Sequence, residues 1–139
     1  MRKNQDKIYS VIDANLNRVK EGLRVCEDTA RFILRNARLT KKIKRLRHAI
    51  TQAAILENLD TVKVLKFRDS SSDLGRAPDY LEKKRNSVAD IFLANFQRAK
   101  EGLRVLEEFT KLIDVKLSDR FKKIRFRLYS LEKEIISSV

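Results

Sequence analysis

Apolar residues at Ile12, Leu16, Val19, Leu23, Cys26, Ala30 and Ile33 advance in alternating steps of four and three, which stacks them on one face of an α-helix. The same rhythm runs through Phe92, Phe96, Ala99, Leu103, Leu106, Thr110 and Ile113. Two further helices are predicted with Ile43, Leu46, Ile50 and Ala53, and with Phe121, Ile124, Leu128, Leu131 and Ile135, on their inner faces. Thr40 and Ser118 precede those runs and are the expected N-caps. Only three Gly and one Pro interrupt the chain, which favours long helices over a many-stranded sheet.

The helices are copies. Residues 14–27, ANLNRVKEGLRVCE, recur as residues 94–107, ANFQRAKEGLRVLE, with ten of fourteen positions identical. A packing constraint alone preserves apolar character and lets polar identity drift, yet Asn, Arg, Lys, Glu and Gly all match. A weaker echo relates residues 39–47 to 117–125, so the repeating unit is a helical hairpin. The predicted fold is all-α: an antiparallel four-helix bundle from a duplicated hairpin, helices 1 and 3 and helices 2 and 4 being related by a pseudo-two-fold axis. It forms a single domain, 1–139, with repeat one at 8–58, a central loop at 59–85 and repeat two at 87–138.

That loop is longer than helix connections usually are. It opens with Val62, Val64, Leu65 and Phe67 and continues through Arg68, Asp69, Ser70, Ser71, Ser72, Asp73, Leu74, Gly75, Arg76, Ala77 and Pro78. Two readings stand: a solvated crossover, or a lid anchored on the bundle by Leu65 and Phe67.

At 100° per residue, Asn15, Arg18 and Gly22 lie on a second inward stripe continuing through Val25, Thr29 and Phe32, and Asn95, Arg98, Gly102, Val105 and Phe109 repeat it. Arg and Asn in line with core residues require partners. Either Arg18 pairs with Glu101 and Arg98 with Glu21, or the arginines meet an anionic ligand in a polar cavity. Gly22 and Gly102 each cost about 0.5–1 kcal/mol relative to Ala in a helix; they admit either a neighbouring helix or a ligand to the backbone. Arg24 with Asp28 and Arg104 with Glu108 have ion-pair spacing. Arg47 and Arg125 border their inner faces and are candidates for anion contact.

The net charge of +13 calls for an anionic partner without naming it. Richness in Lys, Arg and Glu also suits a protein from a hot environment. The lone cysteine, Cys26, excludes an internal disulfide and falls on the core stripe. His48, the only histidine, has no evident partner and reads as a packing residue. The chain lacks a phosphate-binding Lys-Ser/Thr loop, a dinucleotide turn, a nucleophile elbow and a zinc-spaced His pair. No run spans a bilayer and no signal core follows the N-terminus, so a cytoplasmic location is expected.

The residues Asp13 to Asn15 with Arg18, the segment Glu21, Gly22, Leu23, Arg24, Val25, Cys26, Glu27, Asp28, then Ala30, Arg31 and Phe32, the loop pair Arg68 and Asp69 with Ser72, Asp73, Leu74 and Gly75, and the second copy from Ala94 to Glu108 resemble the small hydroxymethylpyrimidine phosphate kinase of thiamine biosynthesis. That domain also occurs fused in front of thiamine phosphate synthase; with no barrel following, this kinase is expected to stand alone. The resemblance covers nearly the whole chain. It implies ATP-dependent phosphorylation of 4-amino-5-hydroxymethyl-2-methylpyrimidine phosphate to the diphosphate that thiamine phosphate synthase consumes. The loop departs from the family's Gly-Asp-x-Gly-Thr, with Ser72 before Asp73 and Arg76 after Gly75.

Such a transfer needs two phosphorylated partners positioned and charge neutralised on the moving group. Arg18 and Arg98 are the candidates for neutralisation, and Glu21 or Glu101 for orienting the attacking oxygen. Asn15, Gly22, Arg47, Asn95, Gly102 and Arg125 are candidate substrate contacts, and Asp69 and Asp73 candidate Mg²⁺ ligands. ATP and Mg²⁺ are the implied cofactors, and thiamine phosphate synthase the functional partner. A homo-oligomer is compatible with the sequence. Two rivals remain: a basic helical nucleic-acid-binding module using residues 41–47 and 120–127, which leaves Asn15, Glu21 and Gly22 unexplained, and a non-catalytic helical partner subunit.

Overall fold

The structure, a computed structural model, describes residues 2–75 and 84–137. Arg76 and the rest of 76–83, part of the central loop, lie outside the described residues. Helix α1 (Arg2–Asp28) runs into a single π-helical turn (Thr29–Ile33), followed by α2 (Ala37–Leu56), a short α3 (Thr61–Lys66), α4 (Val88–Thr110) and α5 (Val115–Ser137). The fold is all-helical, with no strand among the described residues.

The two seams read from the sequence meet in one core. Ile12, Val19, Leu23, Cys26, Phe96, Ala99, Leu103 and Leu106 are all buried, and Ile43, Leu46, Ile50, Phe121, Ile124 and Leu128 close it from the other two long helices. Gly22 faces Asn95 and Ala99 while Gly102 faces Val19 and Asn15, so α1 and α4 cross antiparallel near their middles. Ion pairs Lys42–Glu134 and Arg120–Glu57 link α2 to α5 in the same antiparallel sense.

Helix starts and one helix end depart from expectation. Asn36 caps α2 by accepting from the Leu39 amide at 3.0 Å, and Asp114 accepts from the Lys116 amide at 2.9 Å at the head of α5. Both helices therefore begin before Thr40 and Ser118, the expected caps. Those hydroxyls donate instead to the carbonyls of Asn36 and Glu107. The π turn ends α1 with a wider helical repeat than an α-helix has. Phe32 and Ile33, expected to face inward, lie within this turn and are exposed at 62% and 59%, as is Leu112, the repeat counterpart of Phe32, at 68% just past the end of α4.

The central segment is anchored at its start. Val64 is buried, Phe67 stacks on Tyr9 with ring centroids 6.4 Å apart, and Ser10 Oγ donates to the Phe67 carbonyl at 2.6 Å. Leu65, the other expected anchor, is exposed, because α3 places Val64 on its inner side.

Candidate functional site

Where α1 and α4 cross, their backbones touch. A Cβ on Gly22 would lie 2.7 Å from the Asn95 carbonyl oxygen, and one on Gly102 would lie 2.7 Å from Val19 Cγ2. Both glycines are buried against the opposite helix, so their missing side chains are accounted for by helix approach, not by a ligand at the backbone.

The repeated charges divide into two sets. The first is structural. Glu27 is buried and receives both Arg47 Nη2 (3.2 Å) and Arg24 Nη1 (3.2 Å); buried Glu107 receives Arg125 Nε at 2.8 Å. Arg125 lies against the rings of Phe126 and Tyr129, and its bonds to Glu107 and then Tyr129 hold its pKa above the ordinary value. A carboxylate in the core needs such a partner. Arg47 and Arg125 thus clamp α2 to α1 and α5 to α4, which takes them away from the anion contact expected of them. The anticipated pairs Arg24–Asp28 and Arg104–Glu108 are present at 3.7 and 3.2 Å.

The second set is unpaired. Arg18 and Arg98 are exposed, not drawn into the buried arc as expected, and neither forms an ion pair among the described residues; the anticipated pairs Arg18–Glu101 and Arg98–Glu21 are not formed. Arg18 reaches only the amide oxygen of buried Asn15, at 3.4 Å. Asn15 and Asn95 each donate back to the helical carbonyl four residues earlier.

Arg18, Arg98, Asn15 and Glu21 line one open groove of about 730 Å³, together with Asp69 and Asp73 of the central segment. Glu101 is exposed and bonded by Gln97, outside the groove lining, as are Asn95, Gly22, Gly102, Arg47 and Arg125. The loop reaches the groove through Arg68, whose Nε and Nη2 donate to the two oxygens of Asp13, each at 2.8 Å. That hydrogen-bonded contact, with help from the Glu21 charge, raises the Arg68 pKa.

Just beyond this clamp Asp69 accepts from the Ser72 hydroxyl, the Ser72 amide and the Ser71 hydroxyl. These bonds, the Ser72 hydroxyl first, hold the Asp69 carboxyl below its usual range. Asp73 uses one oxygen to accept from the Gly75 amide. No cluster of three or more metal-ligating side chains occurs among the described residues. Asp69 and Asp73 are the two carboxylates of the groove's loop that could hold a cation.

Asp13, Arg68 and Phe109 line the groove without having been expected as site residues, Phe109 having been placed only on the inward stripe. The signal for two of them was present, since Asp13 and Arg68 stand inside the motifs that carry the family resemblance.

The arrangement defines a class: an all-helical bundle whose crossing helices present two arginines without an ion-pair partner among the described residues, beside an acidic loop. The chain belongs to the ThiD2 family, whose model matches residues 10–134. It is 36% identical over 133 residues to a thiamine-phosphate synthase of Nostoc punctiforme, covering 95% of this chain and 36% of the relative. It is 38% identical over 132 residues to one of Prochlorococcus marinus subsp. pastoris, covering 94% and 36%. A more distant thiamine-phosphate synthase, of Rhodopirellula baltica, is 31% identical over 129 residues, covering 92% and 34%. The chain thus spans about a third of the length of these relatives. No solved structure matches it, and no described helix is long and apolar enough to cross a membrane.

Proposed function

We propose that this chain acts in thiamine biosynthesis as a phosphotransferase, moving a phosphoryl group from ATP to hydroxymethylpyrimidine phosphate with Mg²⁺ present. One observation carries the reading: of the arginines in the duplicated motif, Arg18 and Arg98 alone lack a carboxylate partner among the described residues, and both line the groove that the acidic loop adjoins. The relatives' name, thiamine-phosphate synthase, supports the pathway.

In this mechanism an oxygen of the acceptor's existing phosphate attacks the terminal phosphorus of ATP, a P–O–P bridge forms, and the bond to the ADP oxygen breaks. The protein's work is positioning and charge neutralisation. Arg18 and Arg98 offer forked donors to phosphate oxygens. Glu21, exposed beside Arg18 on the same helix face, orients the attacking phosphate oxygen and accepts its proton when the acceptor binds as the monoanion. Asp69 and Asp73 would hold Mg²⁺, which would supply positive charge to offset that of the phosphates.

The test is turnover followed by phosphorus NMR with ATP, Mg²⁺ and the pyrimidine phosphate, beside thermal shifts with each ligand and with single-stranded nucleic acid. Diphosphate formation, abolished by Asp69→Ala/Asp73→Ala with the circular-dichroism melt preserved, is the expected result. Full activity in that double variant removes the loop from the mechanism. Stabilisation by nucleic acid alone points to the basic-module reading.

A further inference from the structure

The frame is two-fold, but the groove is not. Positions related by the repeat match through Asn15 and Asn95, Arg18 and Arg98, Val25 and Val105. They diverge where the groove ends: Asp13, which holds the loop, has exposed Leu93 as its counterpart, and Phe109 has Thr29. Thr29 is buried and donates its hydroxyl to the Val25 carbonyl, whereas Phe109 lines the groove at 37% exposure.

Phe109 is also unlike the other six phenylalanines. Phe92, Phe96 and Phe121 are buried; Phe67 stacks on Tyr9, Phe126 meets Tyr129, and Phe32 carries Arg31 over its ring. Phe109 has none of these. Its ring is left facing an open polar groove with no aromatic or cationic partner among the described residues, and shares that groove with Val105, Val11 and Ala14.

We propose that Phe109 is the stacking platform for the heteroaromatic ring of the phosphorylated acceptor, with Arg18 holding that acceptor's existing phosphate. The identity of the ligand rests on the kinase reading; its placement rests on geometry. Gly102 packs against Val19 and Asn15, which puts Arg18 level with Gly102, and Phe109 lies two helical turns further along, about 10 Å away. Side chains lean toward the N-terminus of their own helix. Since α1 and α4 are antiparallel, Arg18 and Phe109 lean toward each other, and a compact molecule joining a flat ring to a phosphate through a short arm fits between them. Arg98 leans the opposite way, away from this pair. A planar ring gains from a π-face regardless of its hydrogen-bond pattern, so Phe109 supplies affinity for the ring that arginines cannot.

The experiment compares the wild-type protein with Phe109→Leu and Phe109→Tyr. Calorimetric binding of the pyrimidine phosphate, of ATP with Mg²⁺ and of inorganic phosphate is measured alongside the Michaelis constants. In Phe109→Leu, affinity for the pyrimidine phosphate should fall about tenfold while ATP and inorganic phosphate are unaffected, and Phe109→Tyr should restore it. Unchanged pyrimidine binding in Phe109→Leu, or a loss confined to ATP, overturns the assignment. Binding without turnover in the wild type defeats the kinase reading, yet the comparison of variants still decides the stack. A wild type that binds no pyrimidine phosphate defeats both.

Discussion

Replacing Gly22 by Ala tests whether helix approach is what this position serves. Alanine in a helix interior is favoured over glycine by about 1 kcal/mol, so propensity alone predicts a more stable protein. Against it stands the added methyl group, 2.7 Å from the Asn95 carbonyl oxygen where ordinary contact begins at 3.4 Å, a shortfall of 0.7 Å. That oxygen is backbone, so it cannot rotate aside; α1 and α4 must separate along their buried seam. Overpacking of this kind costs about 1–3 kcal/mol, and opening the seam forfeits dispersion contacts as well. The net expectation is destabilisation of roughly 1–2 kcal/mol, a fall in Tm of about 4 °C per kcal/mol in a domain of this size. Gly102→Ala should follow the same direction with a smaller cost. Its methyl meets the side chain of Val19, which can give by tenths of an ångström although its χ1 is stiff. Urea denaturation followed by circular dichroism supplies the free energies. Stabilisation of Gly22→Ala by the full propensity gain would refute close helix approach as its role, and a rise in a Michaelis constant without any loss of stability would return Gly22 to the ligand.

Glu107→Gln leaves buried Arg125 without its carboxylate and should cost about 3 kcal/mol, whereas Glu27→Gln, facing the more exposed Arg47, should cost less; equal urea midpoints for both variants would contradict the burial argument. Arg18→Ala and Arg98→Ala should raise the Michaelis constants of different substrates, acceptor for the first and ATP for the second, and an acceptor lacking its phosphate should be a poor substrate because it lacks both the group Arg18 would hold and the oxygen that attacks; loss of the same substrate in both variants refutes the division. Burial pushes the Cys26 thiol up to about 12 from 9.0, so an aromatic disulfide reagent at mildly alkaline pH should label it only as the protein unfolds. Because the folded value is the higher one, the stability tied to this group is complete below the unfolded value of 9.0 and is lost as pH rises toward about 12. Rapid labelling of the native protein would contradict its burial.

The four long helices, their seams and their duplication were legible in the sequence, because a buried helical face must repeat every three or four residues and a copied motif keeps its letters. The motif also announced polar importance, but not which polar residues packed and which stood free. Glu27, Glu107, Arg47 and Arg125 are as well matched between the repeats as Arg18 and Arg98, yet the first four neutralise one another inside the bundle and the last two do not. That division depends on distances across helices, which no local pattern encodes. Thr40 and Ser118 were plausible caps by residue type, and Asn36 and Asp114 took the role because the preceding turns delivered their carboxamide and carboxylate oxygens to free amides. The π turn left no periodic trace. The loop's anchoring to Asp13 and the solitary position of Phe109 likewise exist only once α1 and α4 have crossed. The sequence by itself determined the four long helices, the repeated motif and the family, but not α3 or the π turn; the crossing of α1 on α4 decided which of its repeated charges were left facing a groove, since pairing is a property of space and not of order along the chain.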